Sequence, residues 1–591
     1  MTRYLRILGN VLIAAFSALG LAAGLVPAMA GEIDGISLSV VKGPGGGQLT
    51  LSWTGGASPF AVYRGSNPAT VTSPGNKLAD TFTAAFTESI PPGAIVYYRV
   101  EHSDCQLQAD PPDLTFADTN CDGIDGNVSG AIFVDTVSGL DSNSGTMAQP
   151  KRTITAAIAA AALAGKAVYI SQGVYAESVV LASGVSLYGG YNAASGWTRS
   201  NSQVTTIQSP TTTGVLGSGL TQSIEIQLLR IESANASGIS GAGDGLSSYG
   251  VLIRNSSAAV VLRAVRATSG TGAAGASGSN GTTGVTGGIG GNATGGFPGN
   301  PGFSTCGASG GMGGIQADCA TAGSFGQPGS SASGGGAAGP GGSGGSAGSC
   351  SAASSTNGGP APPVVSPGGV GVTGPGGTAG ATLGSFDAAG GYLTAPGVVG
   401  SSGFPGGGGG GGGSGGGTRH STSGQCDNCA RCVHSGAGGG GGGGGCGGTG
   451  GAGGRGGGAS FAVVSVSSTV VLDQCVLTSR NGGSGGPGGS GGPGAAGGSG
   501  GSGANGETHT SPCDTRSGGA GADGGSGGMG GQGGGGGGGT GGPSVCVAYK
   551  GTAPTLATTS CFTGLGGTGG SGGNGASTGT SGVTATSVAV N

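Results

Sequence analysis

Beyond residue 36 the chain is written in short alternations of apolar and polar residues. Leu49-Thr50-Leu51-Ser52-Trp53 has the period of two of a half-buried strand. Phe60-Ala61-Val62-Tyr63-Arg64 follows a Gly-Gly turn signal, and Ile95-Val96-Tyr97-Tyr98-Arg99-Val100 follows Pro91-Pro92-Gly93. Such strands, punctuated by Gly and Pro, predict a β-sandwich over 31–104. The period changes at Thr153, where an Ala-rich run opens a helix that Gly165 stops. Ala167-Val168-Tyr169-Ile170, Gly173–Leu181 and Gly184–Tyr191 then supply strands too short to bury a face alone. Coiled into a solenoid, each rung covers the next. Three later stretches, from Val251, Phe461 and Val547, align without gaps and put Val261, Val471 and Ala557 in register. They read as successive rungs of one β-helix spanning 131–591.

Composition explains what separates those rungs. Glycine makes up 153 of 591 residues, concentrated at about 270–458, 482–542 and 564–582. Adjacent rungs lie ~4.8 Å apart, so each Gly-rich insert must return close to where it left. Gly272, Gly275, Gly278, Gly281, Gly284, Gly287 and Gly290 recur at every third residue, and Gly482–Gly492 repeats as Gly-Gly-x. Three residues per turn is polyproline II geometry. Glycine on its ridges allows close lateral approach, which predicts a polyglycine II bundle with an even number of antiparallel segments in 270–458. Pure runs such as Gly406–Gly413 belong inside it and Gly-Gly-x runs at its edge. A flexible Gly linker is the competing outcome, because glycine loses the most freedom on ordering. With 27 Pro and frequent phase breaks, a collagen triple helix is disfavoured.

Charge and the N-terminus set the compartment. Charged residues are 7% of the chain and the net charge is -4, too little basic character for nucleic-acid binding. Arg3 and Arg6, an apolar Ile7–Val26 run and Ala28-Met29-Ala30 before Gly31 have the layout of a cleaved secretory signal over 1–30. No later apolar stretch is long enough to span a membrane. Export makes disulfides the natural fate of the 13 Cys. The odd count leaves at least one thiol free or paired between chains.

Candidate sites are few. Asp118, Asn120, Asp122 and Asp125 sit in an Asp-x-Asn-x-Asp-Gly order within the linker 105–130, the first half of a calcium loop. Ser129 holds the twelfth position where a bidentate Glu is usual, and an Asx-turn linker fits the same residues. Cys105 and Cys121 flank this segment and can clip it. Cys426, Cys429, Cys432 and His434, with His420 and Cys446 nearby, have zinc-ligand spacing, but export favours local disulfides. Cys475 and Cys561 occupy matching positions in the gapless alignment and can stack or bond; Cys306, Cys319, Cys350 and Cys513 read as staples of the inserts. Glu225, Glu232, Asp244, Arg230, Arg254, Arg263 and Arg266 form no recurring acid pair of the kind a glycosidase needs.

Two resemblances add to this reading. Leu49–Trp53, Phe60–Arg64 and Val96–Val100 make residues 33–104 resemble fibronectin type III modules, with Trp53 as core tryptophan and Tyr98 as tyrosine-corner residue. The Asp118–Gly126 loop is similar to those of thrombospondin type 3 and bacterial metal-binding repeats. Asp135, Gly139, Asp141, Asn143, Gly145, Thr146, Thr153, Ile154, Ala157, Ile158, Gly173, Tyr175 and Glu177 make 131–208 resemble the start of bacterial pectin-lyase-like right-handed parallel β-helix domains. These imply an all-β chain: a sandwich followed by an interrupted β-helix with Gly-rich insertions. The function expected is that of an exported or surface-associated structural or adhesive protein, binding polysaccharide or matrix without catalysis. A β-helix polysaccharide lyase or hydrolase, and an ice-binding protein acting through the bundle, are the alternatives.

Overall fold

The computed structural model describes the strands of the N-terminal module and residues 110–591 except 121, 350–355, 364–365, 421–430 and 512–513. The protein is built almost entirely of β-structure, with parallel sheets forming a β-helix and antiparallel sheets before them. It divides into two units, residues 1–173 with 187–205, and 174–186 with 206–591.

In the first unit, Glu32–Ile33, Ile36–Lys42, Gln48–Thr54 and Ala85–Ser89 form one antiparallel sheet, and Lys77–Thr81, Phe60–Gly65 and Tyr97–His102 a second. The alternation in Gln48–Thr54 buries Leu49, Leu51 and Trp53 with Phe60, Val62 and Tyr98. The Tyr98 hydroxyl donates to the Glu88 carboxylate, a side chain rather than the backbone acceptor of a tyrosine corner. Further on, Ala131–Val134, Ala167–Ser171 and Leu187–Asn192 pair in parallel. The helix Ile154–Ala164 starts where Thr153 Oγ1 accepts the Ala156 N–H, and it stops at Gly165 in the left-handed region at φ 65°.

The second unit is the stack of rungs and its inserts. Thr213–Ser218, Ser248–Arg254, Ser460–Val466, Ser544–Lys550 and Thr584–Ala589 pair in parallel along one sheet. Ile224–Gln227, Ala259–Arg263, Thr469–Asp473 and Thr555–Ala557 form the next. Leu229–Glu232, Arg266–Thr268, Val476–Ser479 and Ser560–Thr563 form the third. Val215, Val251, Val463 and Val547 stack inward in one file.

The register corrects the gapless alignment. Val471 does lie beside Val261, but its other neighbour is Thr555, not Ala557, and Phe461 lies beside Tyr249, not Val251. One corner holds residues 255–258 where the next coil holds only 467–468, so no gapless alignment satisfies both strands. A slip of two residues keeps the same side chains inward, which hides it from the apolar pattern.

All three inserts leave the third sheet and return to the first. At that corner hydroxyl pairs tie the outgoing and incoming ends of the first two inserts: Ser269 meets Ser460 at 2.9 Å and Ser479 meets Ser544 at 3.0 Å, both pairs buried. One coil earlier, Ser233 meets Ser248 at 2.9 Å across the 234–247 loop in the same way. The closure is local, so it is indifferent to what lies between.

What lies between is an ordered bundle without a side-chain core. The first insert runs as eight segments: S1 (272–293), S2 (298–303), S3 (308–316), S4 (322–330), S5 (336–348), S6 (356–363 and 366–379), S7 (396–417) and S8 (434–458). The second adds S9 (481–507) and S10 (518–543), and the third S11 (565–573) and S12 (576–583). Bonds recur at every third residue: the N–H groups of Gly272, Gly275 and Gly278 donate to the carbonyls of Asn481, Ser484 and Pro487. That is the lateral pattern of polyglycine II. Consecutive segments within an insert run antiparallel, and each insert has an even number, so both ends meet at the corner.

Neighbour number explains where glycine is obligatory. S8 bonds to S1, S2, S3, S7, S9 and S10, and S7 to S3, S4, S5, S6, S8 and S10. With six neighbours all three ridges are covered. A Cβ on Gly408 would stand 1.9 Å from the Ser309 carbonyl oxygen, and one on Gly410 1.9 Å from that of Pro340. These are the runs Gly406–Gly413 and Gly438–Gly445, buried throughout. S10 becomes equally glycine-pure at Gly533–Gly539, where S11 and S12 complete its surround. Edge segment S9 keeps one free ridge, and there Ser484, Pro487, Ser490 and Pro493 are exposed.

Candidate functional site

Charge is distributed unevenly over the inserts. Their charged residues are Asp318, Asp387, Arg419, Asp427, Arg431, Arg455, Glu507, Asp514, Arg516 and Asp523. Asp318, Arg419, Arg431, Glu507, Asp514 and Arg516 all lie in the turns at the end of the bundle away from the rungs. His420, His434 and His509, three of the chain's four histidines, lie there too. The period-of-three rule lapses at this end because turns have no lateral neighbours, so side chains reappear.

Two antiparallel hairpins build this head. Thr418–His420 pairs with Arg431–Val433, and Thr508–Thr510 with Thr515–Ser517. They pack against each other. His434 links the S3, S8 and S9 ends: Nε2 lies 3.2 Å from Asp318 Oδ1 and Nδ1 3.0 Å from Glu507 Oε2. Burial raises the Glu507 carboxyl, but hydrogen bonds from the His434 ring and backbone outweigh it and hold the group below the usual glutamate range. Arg516 is buried and paired with Asp514, and the Ser517 N–H donates to Asn357 Oδ1 at 3.2 Å. A disulfide between Cys319 and Cys432 staples the turn after S3 to the second strand of the Thr418–Val433 hairpin. The head thus presents fixed polar groups on a rigid support. The sequence signal for it was the near absence of charge elsewhere in the inserts.

The cysteine expectations resolve differently from the sequence reading. Cys432 bonds Cys319 rather than a neighbour in its own run, and Cys446 bonds Cys306. Cys561 bonds Cys546 in the same rung, leaving Cys475 a buried free thiol, its acidity suppressed by burial to a pKa of about 11. The pairing of Cys475 with Cys561 fails because of the two-residue slip: Leu477, not Cys475, lies beside Cys561. Cys105, Cys121, Cys350, Cys426, Cys429 and Cys513 lie outside the described residues. Asp318 stands beside the Cys319–Cys432 pair, whose sulfurs are engaged with each other.

The calcium-loop residues are only partly gathered. Asp118 Oδ1 accepts the Asp122 N–H at 3.1 Å and Oδ2 the Gly123 N–H at 2.9 Å. Asn120 Oδ1 also accepts the Asp122 N–H, at 2.9 Å. Asp122 Oδ2 accepts the Val128 N–H at 2.8 Å, while its Oδ1 is buried with no protein partner. Burial raises the Asp122 carboxyl above the usual aspartate range. Asp125 is turned away: it forms a buried pair with Arg199 at 2.9 Å, and Tyr191 donates to its backbone carbonyl at 2.6 Å. A cation in this loop would therefore be held by Asp118, Asn120 and Asp122 without Asp125. Gly123 and Gly126 take φ of 103° and 118°, which only glycine adopts freely. A Cβ on Gly126 would also meet the Tyr169 hydroxyl at 2.6 Å.

On the rungs, Arg263 bridges Glu225 at 2.9 Å and Asp473 at 3.2 Å, so these carboxylates face a guanidinium rather than each other. No helix among the described residues is long and apolar enough to cross a membrane. Residues 137–312 match a family described as a protein of unknown function, DUF1565, a span that runs from the start of the rungs into S3. No curated protein and no solved structure matches the chain.

Proposed function

We propose that this is an exported, surface-associated adhesive protein that binds glycans or matrix through the head of its glycine bundle. The carrying observation is that charge and histidine, nearly absent from the bundle's length, collect in turns braced by a disulfide and by His434. In this reading the signal is removed before Gly31, the N-terminal module is a fibronectin type III-like spacer, and the rungs are a pectin-lyase-like right-handed support. Fold alone assigns no activity to such rungs. Glycan-array binding by the mature protein, with a parallel turnover assay, tests the proposal. Binding should fall at least tenfold in Arg431→Ala or His434→Ala without loss of bundle amide protection. Array binding that is indifferent to both changes sinks it, and reproducible polymer cleavage would favour the enzymatic alternative.

Calcium is proposed for the Asp118–Asp122 loop, supported by the orphaned Asp122 oxygen. Calorimetry should show binding to the full chain that Asp122→Asn abolishes. The same change should stabilise the calcium-free protein by about 1 kcal/mol, because it removes a partly buried charge with an unpaired oxygen. Unchanged calcium heat in the variant would return the loop to an Asx turn.

Ice binding remains a second reading, favoured by one arrangement. S1, S9 and S11 run parallel in register and expose rows that include Asn280 and Thr283, Ser490 and Ser499, and Thr568 and Ser571. The repeat along each row is about 9 Å, three residues at ~3.1 Å. Thermal hysteresis that Thr283→Lys eliminates would select this reading.

A further inference from the structure

The bundle carries a second surface, below the head and chemically opposite to it. S2 lies between S1 and S3: Gly288 and Gly291 donate to Phe303 and Asn300, and Gly310 and Gly313 donate to Gly302 and Gly299. Phe297, in the turn that leads into S2, continues the ridge of S2 that faces no neighbour, which carries Asn300 and Phe303. Phe297 is 77% and Phe303 74% exposed. The outer ridge of S3 adds Met312 and Ile315, the latter 64% exposed, and S1 adds Val285 just before S2 takes its place. Bonding register puts all five on three adjacent segments within about ten residues of axial length, some 30 Å at ~3.1 Å per residue.

The two phenylalanines, at about 150–250 Å² each and about three-quarters exposed, leave roughly 300 Å² to solvent, and Val285, Met312 and Ile315 bring the face to the order of 600 Å². That is the upper end of the largest apolar patch a folded monomer ordinarily exposes, a size that is often functional. The identity of the partner follows from charge. Between Arg266 and Arg419 there is no Lys or Arg, and Asp318 and Asp387 are the only acids. An anionic lipid surface recruits proteins through basic clusters, and this face has none. A partner carrying charged groups would bury them unpaired against it. A second copy of the same face is neutral and apolar by construction, and its area approaches the ~800 Å² per partner of specific interfaces.

We infer that the protein self-associates as a two-fold dimer through Val285, Phe297, Phe303, Met312 and Ile315. Two copies joined here would present two heads, which raises avidity for a repetitive surface without new contacts. The inference stands apart from what the head binds.

Sedimentation velocity on the mature full chain across a concentration series tests it. A monomer–dimer equilibrium is expected with a dissociation constant on the order of micromolar, fitting an interface at the small end of the specific range. Phe297→Ser with Phe303→Ser should weaken it at least tenfold and leave single-site head binding unchanged. Met312→Glu, on a different segment, gives an independent reading if the double variant misfolds, and it should be monomeric at the same concentrations. Wild-type protein that stays monomeric to about 100 µM, well above a micromolar constant, overturns the inference. So does a dimer that survives both sets of changes with folding intact.

Discussion

The rungs and the bundle belong to one polypeptide but solve the problem of burial in opposite ways. In the rungs, backbone groups pair between coils and side chains such as Val251, Ile226 and Leu262 fill the interior. Free energy there comes from apolar area removed from water. In the bundle the interior contains almost no side chains. Gly406–Gly413 and Gly438–Gly445 are buried against carbonyls of six neighbours, and cohesion comes from lateral hydrogen bonds at about 0.5–1.5 kcal/mol net each. The comparison teaches that burial has no fixed meaning for sequence. A buried rung position demands the right side chain, and a buried bundle position demands none.

The sharpest way to break that contrast is to put a side chain where the bundle has no room. Gly410→Val should cost more than about 4 kcal/mol, since the obstacle is backbone on every side rather than a flexible side chain. Amide exchange would show lost protection across S7 and S8, with the rungs still protected. Retained protection at Gly406–Gly413 would mean the segments are not packed as described. The converse change, Leu262→Ala, should cost about 2–5 kcal/mol by the ordinary cavity mechanism and lower the rung transition measured by calorimetry. On the free ridge of S9 both rules lapse, and Ser490→Ala should shift stability by less than about 0.5 kcal/mol.

Much of this architecture is legible in the amino-acid sequence. The period of three in Gly272–Gly290 has the period of the lateral bonds, and the requirement that an insert return to its corner matches the paired segments. Strand positions in the sandwich and in the rungs followed from alternation at Leu49–Trp53 and at the three repeated stretches. What escaped had physical causes. The register of the last rung was invisible because a slip of two preserves the inward face, and that error carried the expected partnership of Cys475 with it. Asp125 fitted the calcium order, but Arg199, 74 residues away, claims its carboxylate. The head was hidden because Asp318, His434 and Glu507 are far apart in sequence and meet only when three segment ends arrive together.

The serine-tied corner and the sideways bonds have a mechanical corollary. A load applied at the head runs along the segments and down to the rungs. The bonds that hold each segment lie across that direction, so pulling strains them together in shear instead of opening them one at a time. S7 and S8, which carry the Thr418–Val433 hairpin, are each gripped on six sides. The part of the molecule with the fewest side chains is thus its best-anchored element against tension.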